Sequence, residues 1–312
     1  MKKVLLTSTS FQDTPGEHQV QLESTGYEIT CLRGPLVENE LLTIIDQFDG
    51  IICGDDDITQ AVIKKGATHK LKIISKYGSG LDKIDLKAAR DLGVPVTSCP
   101  AENQTTVAEH VFALLLTHVK NIIQENKFTQ EGKWKRLIGN DLANKTLGVM
   151  GTGNVGKEVI KRALAFGMKI IAYDQYPDTA FTAQYGIRYA KNVKEVYQES
   201  DIITLHMNLD HNSRHMLNNE AFKSMNDGVI LINTARAGLV VEEEILNAVN
   251  AGKLGGYLTD VLEVEPMPQD HPYLNHPKIL ITPHIGSRTY ENVVKQGTMA
   301  VNNLIENLNV ER

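Results

Sequence analysis

The segment Gly151-Thr152-Gly153-Asn154-Val155-Gly156 constrains this chain more than any other. Ahead of it, Thr146-Leu147-Gly148-Val149-Met150 reads as a short buried strand. Behind it, Lys157 to Phe166 sets apolar residues at Val159, Ile160, Ala163 and Leu164, the spacing of one helix face. A second apolar run, Lys169-Ile170-Ile171-Ala172-Tyr173, ends in Asp174. Strand, glycine turn, helix, strand and acid form the dinucleotide fingerprint in the context that makes it specific. Gly151 allows the tight turn, Gly153 lets backbone approach a pyrophosphate, and Gly156 lets helix and strand pack closely. The unpaired N–H groups of the helix start, at Asn154 and Val155, face the negative charge. An ordinary glycine-rich α/β turn is the alternative; the two strands and the acid set this one apart. Asp174 suits a free ribose diol and repels a 2′-phosphate, and no arginine follows it in Gln175-Tyr176-Pro177, so NAD is expected over NADP.

A chain of 312 residues can hold two domains, each with its own core. With a formal charge of −6, it advertises no basic surface for nucleic acid or anionic membrane. Lys2 and Lys3 are followed only by Val4-Leu5-Leu6, which fits a first strand and is too short for a signal peptide. The apolar run Val111 to Val119 is interrupted by His118 and is too short to span a bilayer. Cys31, Cys53 and Cys99 have no C-x-x-C spacing; they read as reduced thiols of a cytoplasmic protein, and no metal site is expected.

The first hundred residues alternate strand and helix patterns. Lys3–Thr7, Tyr27–Thr30, Gly50–Cys53, Leu71–Ser75 and Val94–Thr97 read as strands, with helical stretches at Glu38–Phe48 and Thr59–Lys65. The rhythm resumes after Gly151, with strands expected at Ile202–Leu205, Val229–Asn233, Gly256–Asp260 and Ile279–Thr282. Such alternation argues for parallel sheets covered on both faces. The reading is therefore α/β, with two doubly wound parallel-sheet domains: a flavodoxin-like substrate domain and a Rossmann nucleotide domain. The boundary falls near Cys99-Pro100-Ala101, before a long apolar helix over Thr106 to Lys120. The final helix, Tyr290 to Leu308, is expected to return to the first domain. This divides the chain into 1–100 with 290–312, and 101–289, with a cleft between the lobes.

Three polar residues lie at carboxyl ends of expected strands in the second domain, where open α/β sheets place ligands. Arg236 follows Ile232-Asn233-Thr234-Ala235, Glu265 follows Asp260-Val261-Leu262-Glu263-Val264, and His284 follows Ile281-Thr282-Pro283. Hydride transfer from an alcohol needs a base for the hydroxyl proton, and the reverse needs an acid. Histidine titrates near neutral pH, a carboxylate on its far nitrogen fixes the ring, and an arginine fork grips a substrate carboxylate. These parts suit oxidation of a 2-hydroxy acid or reduction of a 2-keto acid. Arg236 and Glu265 taken alone also fit a structural ion pair. Trp134 and the methionines read as core or helix-packing groups, and Glu109-His110 as structural.

At these motifs the chain resembles the NAD-dependent D-2-hydroxyacid dehydrogenases, and within them the phosphoglycerate dehydrogenase-like branch. The resemblance spans nearly the whole chain. It rests on Gly78-Ser79-Gly80-Leu81-Asp82-Lys83-Ile84-Asp85, Thr106-Val107-Ala108-Glu109, Asn233 to Gly238, Asp260 to Pro266, and Thr282-Pro283-His284-Ile285-Gly286. It implies that His284 is the acid–base group, Glu265 its partner and Arg236 the clamp on carboxylate and carbonyl. The backbone of Gly78 and Ser79, flanked by Lys76 and Tyr77, would bind the substrate carboxylate. Asp260 would face the nicotinamide amide and Asp174 the adenosine ribose. Thr106, Ala235 and Gly286 join the expected cofactor contacts. His206 matches a family position near the cofactor, but Met207-Asn208-Leu209 departs from the usual pattern there, so a packing role fits equally.

Lys76 matches a position often basic in the phosphoglycerate branch, where it suits a phosphate, a sulfonate or a second carboxylate; a solvated strand-end lysine is the alternative. Asp55-Asp56-Asp57 stand where that branch tends to be basic, and three carboxylates would oppose a dianion unless turned to solvent. The chain ends at Arg312, so no serine-sensing regulatory domain is expected. Phosphoglycerate is the first substrate expected, with hydroxypyruvate or glyoxylate reduction next. A non-catalytic NAD-sensing co-regulator and a methyltransferase are the readings from other classes. The family implies a homodimer, with Asn121 through Ile138 the candidate contact.

Overall fold

The computed structural model describes residues 1–100 and 102–309; Ala101, in the expected boundary segment, and residues 310–312 lie outside the described residues. The chain divides into two compact units, Met1–Asn103 with Arg288–Arg312, and Gln104–Ser287.

The first unit is built on five parallel strands: β1 (Lys3–Leu6), β2 (Glu28–Cys31), β3 (Gly50–Cys53), β4 (Ile73–Lys76) and β5 (Val96–Thr97). Their order, β2-β1-β3-β4-β5, is that of the flavodoxin-like doubly wound sheet. The central strands are buried on both faces, which is why β3 reads as an unbroken apolar run. The helix Tyr290–Leu308 packs on this sheet, burying Val293, Gly297, Ala300, Val301, Leu304 and Leu308 along one stripe. The Ser75 hydroxyl donates to Ala300 O at 2.8 Å, fastening strand to helix. The expected helix Glu38–Phe48 is two pieces, Glu38–Leu42 and a 3-10 turn Ile45–Gln47. The change of winding at Thr43-Ile44 lets Leu41, Ile45 and Phe48 all reach the core. The unit also contains the helices Gln60–Ala67 and Leu86–Asp91 and the short helices Thr9–Asp13 and Glu17–Ser24, the last two hidden in the sequence by weak apolar periodicity.

The second unit carries seven parallel strands: β6 (Thr146–Met150), β7 (Lys169–Tyr173), β8 (Arg188–Tyr189), β9 (Ile202–Leu205), β10 (Val229–Asn233), β11 (Leu254–Thr259) and β12 (Ile279–Ile281). In the order β12-β11-β10-β9-β6-β7-β8 the strand order reverses between β6 and β9. Ligands bind beyond the carboxyl ends of strands at such a switch point. Gly151 N donates to Tyr173 O at 2.8 Å and His206 N to Met150 O at 2.7 Å, so the ends of β6, β7 and β9 converge on the glycine turn. Among the described residues, no helix is long and apolar enough to cross a membrane.

Candidate active site

The three glycines of the turn do different physical work. Gly151 has φ +95°, and a Cβ there would lie 2.6 Å from the His206 carbonyl carbon. A Cβ on Gly156 would overlap the Gly151 carbonyl oxygen, so this glycine sets the helix against the strand. Gly153 has open space on its side-chain face, and it caps the helix Asn154–Ala165, leaving backbone N–H groups accessible to an anion. Asp174, at the end of β7, accepts from Thr152 N at 2.6 Å and Thr152 Oγ1 at 3.1 Å through one oxygen, and from Tyr176 N at 2.8 Å through the other. The acid and the turn are thereby one construction.

A cavity of about 1240 Å³ opens in front of them, bordered by Gly151, Gly153, Asp174 and His206 and continuing along Tyr197 and Asn208. An open glycine face, a helix start and a strand-end carboxylate on one cavity fit a dinucleotide's phosphates and ribose. His206 combines both sequence readings. Its ring bonds the Thr204 hydroxyl at 2.9 Å, and burial pulls its pKa down to about 3, so the imidazole is neutral while the residue borders the cavity. Thr106, half-buried in the first turn of the helix Gln104–Val119, and Ala235, Asp260 and Gly286 lie off the cavity wall.

Beyond β10, the buried Asn233 side chain shapes the loop of Arg236: Nδ2 donates to Arg236 O at 2.9 Å, and Oδ1 accepts from Ala235 N at 3.1 Å. Arg236 Nη1 donates to Ala235 O at 2.7 Å. Glu265 accepts from Leu262 N at 2.9 Å with Oε1 and meets His284 Nδ1 at 2.8 Å with Oε2. An ionised carboxylate only accepts, so Nδ1 carries the proton of this pair. His284 sits at φ +53°, a left-handed conformation unusual for a non-glycine residue.

Asp260, buried at the end of β11, accepts from Thr282 Oγ1 at 2.6 Å, Ile285 N at 2.9 Å and Gly286 N at 2.7 Å. His110 Nε2 lies 2.9 Å from Thr282 Oγ1 and 3.5 Å from Asp260. Burial pushes the Asp260 pKa up, but hydrogen bonds from His110, Thr282, Ile285 and Gly286 outweigh it and hold the carboxyl below its ordinary value. Its oxygens are thus engaged by the loop that carries His284.

The sequence of the second unit matches the model for the NAD-binding domain of D-isomer specific 2-hydroxyacid dehydrogenases over residues 112–286. The chain is 37% identical over 305 residues to a hydroxypyruvate reductase of Thermotoga maritima, covering 96% of this chain and 97% of the relative. It is 36% identical over 302 residues to a D-3-phosphoglycerate dehydrogenase of Methanocaldococcus jannaschii, covering 96% of this chain and 56% of that one. Thus it spans little more than half the length of the phosphoglycerate dehydrogenase. The apo-structure of D-lactate dehydrogenase from Escherichia coli superposes with a TM-score of 0.85 at 28% identity, over 98% of this chain and 96% of that one. The chain belongs to the D-isomer specific 2-hydroxyacid dehydrogenase family. It is an NAD-dependent oxidoreductase, with the two parallel-sheet α/β units of that family.

In this dehydrogenase the residues expected to meet substrate occupy the carboxyl end of β4. Gly78 has φ +118° and its carbonyl accepts from Cys99 N at 2.8 Å, while Ser79 is exposed. Tyr77 is buried, its ring edge-on to Phe11 with centroids 6.3 Å apart. Lys76 is not the solvated lysine that one reading proposed. Its side chain is 4% exposed, and Nζ donates to Gly54 O and Asp55 Oδ1, both at 2.6 Å.

The three aspartates likewise have local work. Asp55 pairs with Lys76, Asp57 with Lys83 at 2.9 Å, and buried Asp56 accepts from the Thr7 hydroxyl and from Leu36 and Gly54 N–H. Asp56 therefore does not point to solvent. Trp134 is not a core residue: it is 78% exposed. The join of His110 and Thr282 to Asp260 escaped sequence reading, because contacts across 172 positions leave no local pattern.

Proposed function

We propose that this dehydrogenase interconverts a two- or three-carbon 2-keto acid and its 2-hydroxy acid, with 3-phosphohydroxypyruvate the first substrate and hydroxypyruvate or glyoxylate the second. The observation that carries the reading is the 2.8 Å contact between His284 Nδ1 and Glu265 Oε2. It orients the ring so that Nε2 gives a proton to the forming hydroxyl in reduction and takes one in oxidation. Glu265 holds the ring. NAD supplies or accepts the hydride when bound. Its phosphates would be held by the turn Gly151 to Gly156 and its ribose by Asp174. Arg236 clamps carboxylate and carbonyl, and the Gly78-Ser79 backbone with Tyr77 binds the reacting carboxylate; both assignments rest on the motifs that carry them. Asp260, with Gly286 and Thr282, supports His284. The second reading, hydroxypyruvate or glyoxylate, draws on the similarity to a hydroxypyruvate reductase and on the engagement of Lys76 by Asp55.

The chain is further proposed to be a cytoplasmic homodimer meeting its copy through residues 121–138. A panel of 2-keto acids with NADH and NADPH, followed at 340 nm, tests the reading. Turnover of a short 2-keto acid with NADH is expected; no turnover of any member overturns it.

A further inference from the structure

With Lys76 held by Gly54 and Asp55, a second negative group on the substrate needs another cation. Arg288 stands four residues after His284 in the chain and belongs to the first unit. Its Nε donates to Ser10 Oγ and its Nη2 to Thr9 Oγ1, each at 2.5 Å. Thr9 and Ser10 leave the carboxyl end of β1, and Tyr77 and Gly78 leave the carboxyl end of β4, at the same edge of one parallel sheet. The Tyr77 phenol lies beside Ser10 and Arg288: burial raises its pKa, while the Arg288 charge and the Ser10 hydroxyl pull against it. The guanidinium and the loop assigned to the reacting carboxylate therefore share the carboxyl edge of this sheet.

Two hydroxyls fix this guanidinium without neutralising it. Asp13, the carboxylate whose titration responds to Arg288, is already gripped by Arg33 through bonds of 2.5 and 2.8 Å. Asp55, Asp56 and Asp57 have the partners given above. Among the described residues, Arg288 makes no ion pair, and it is exposed. An oriented fork of uncompensated charge is what recognition of a phosphate or carboxylate requires.

We propose that Arg288, steadied by Ser10 and Thr9, is a specificity-determining residue that binds a second anionic group at the far end of the substrate. The enzyme then prefers 2-keto and 2-hydroxy acids with a terminal phosphate or carboxylate over those with none. This rests on the proposed assignment of Gly78-Ser79 to the reacting carboxylate.

The test compares wild type with Arg288→Met and Arg288→Lys on 3-phosphohydroxypyruvate, 2-oxoglutarate and glyoxylate with NADH. Calorimetric binding of 3-phosphoglycerate is measured in parallel. Arg288→Met is expected to lower the kcat/KM ratio of the terminal-anion acids to glyoxylate by about ten- to a hundredfold, chiefly through KM, with Arg288→Lys intermediate. The phosphate and carboxylate arms show which group is preferred. An unchanged ratio overturns the proposal, and so does wild type that neither binds nor reduces any terminal-anion acid. If wild type binds 3-phosphoglycerate through Arg288 but reduces no keto acid, the substrate reading falls and the anion site stands. If it reduces keto acids but Arg288→Met binds 3-phosphoglycerate as tightly, the anion site falls and the reading stands.

Discussion

The Thr282 hydroxyl donates to Asp260 at 2.6 Å, two residues before His284, and the N–H groups of Ile285 and Gly286 close on the same carboxylate just after it. A Cβ on Gly286 would lie 2.8 Å from Asp260 Oδ2, so the loop approaches as closely as it does only with glycine there. The left-handed backbone of His284 is thus held on both sides by one buried anion. Thr282→Val keeps the shape and removes the donor, which is expected to cost about 1–2 kcal/mol of stability. Turnover should fall with little change in KM for NADH, because Thr282 acts through the position of His284. A change confined to KM for NADH would assign Thr282 to the cofactor instead.

His284→Ala is expected to lower kcat/KM by about 10²–10⁴-fold while NADH still binds, the range for loss of a positioned acid–base group. Glu265→Gln preserves volume but removes the charge that steadies the ring, and its loss should be smaller. Near-normal turnover by His284→Ala, measured at 340 nm, sinks the assigned role.

Gly153 and Gly156 should respond oppositely to the same substitution. Gly156→Ala drives a methyl group into the Gly151 carbonyl and is expected to cost about 1–3 kcal/mol or more of stability. Gly153→Ala meets nothing within 4 Å and keeps an ordinary φ of −66°, so its unfolding midpoint should stay near wild type. The methyl then stands where a pyrophosphate would approach, and NADH fluorescence titration should show weaker binding. Undiminished NADH affinity in Gly153→Ala contradicts the phosphate assignment.

Much of this was legible in the sequence because parallel strands are buried on both faces and read as continuous apolar runs. β3, β6, β7, β9 and β10 have the bounds that those runs predict. The two-residue strand β8 carries too short a run to register, and the break at Thr43-Ile44 depends on which side chains the core accepts. Arg236, Glu265 and His284 were visible because each lies in the loop that follows the carboxyl end of a strand. The fates of Lys76 and Asp56 were not, since burial and partners 20 or more positions away decide whether a charge faces substrate or closes a loop.

The neutral ring of His206 makes stability depend on pH in a defined window. The unfolded chain takes up a proton at this histidine as pH falls through 6.5, whereas the folded chain resists until about 3. The unfolded state then holds more protons, so folding stability declines with falling pH across that interval, by at most about 1.4 kcal/mol per pH unit for one group. His206→Gln has no such titration. In urea denaturation, the advantage of wild type over the variant should shrink between pH 6.5 and 4.5. A gap that does not vary with pH shows that the ring is not held neutral.

The segment 121–138 buries almost nothing within its own chain. The helix Ile122–Gln130 has no buried residue, and Ile122, Ile123, Trp134 and Ile138 are 54%, 57%, 78% and 96% exposed. Single exposed apolar residues are ordinary, but a tryptophan and three isoleucines within one short segment resemble the core of an interface. The segment is nevertheless ordered by its own polar contacts: Glu125 accepts from Leu137 N, and Asn121 Nδ2 donates to Ile138 O at 3.2 Å. Trp134→Glu places a charge at the centre of the proposed contact. Light scattering at micromolar concentration is expected to show a dimer for wild type and a monomer for the variant, with the variant's circular dichroism unchanged. A wild-type monomer, or a variant that remains dimeric, removes this surface as the contact.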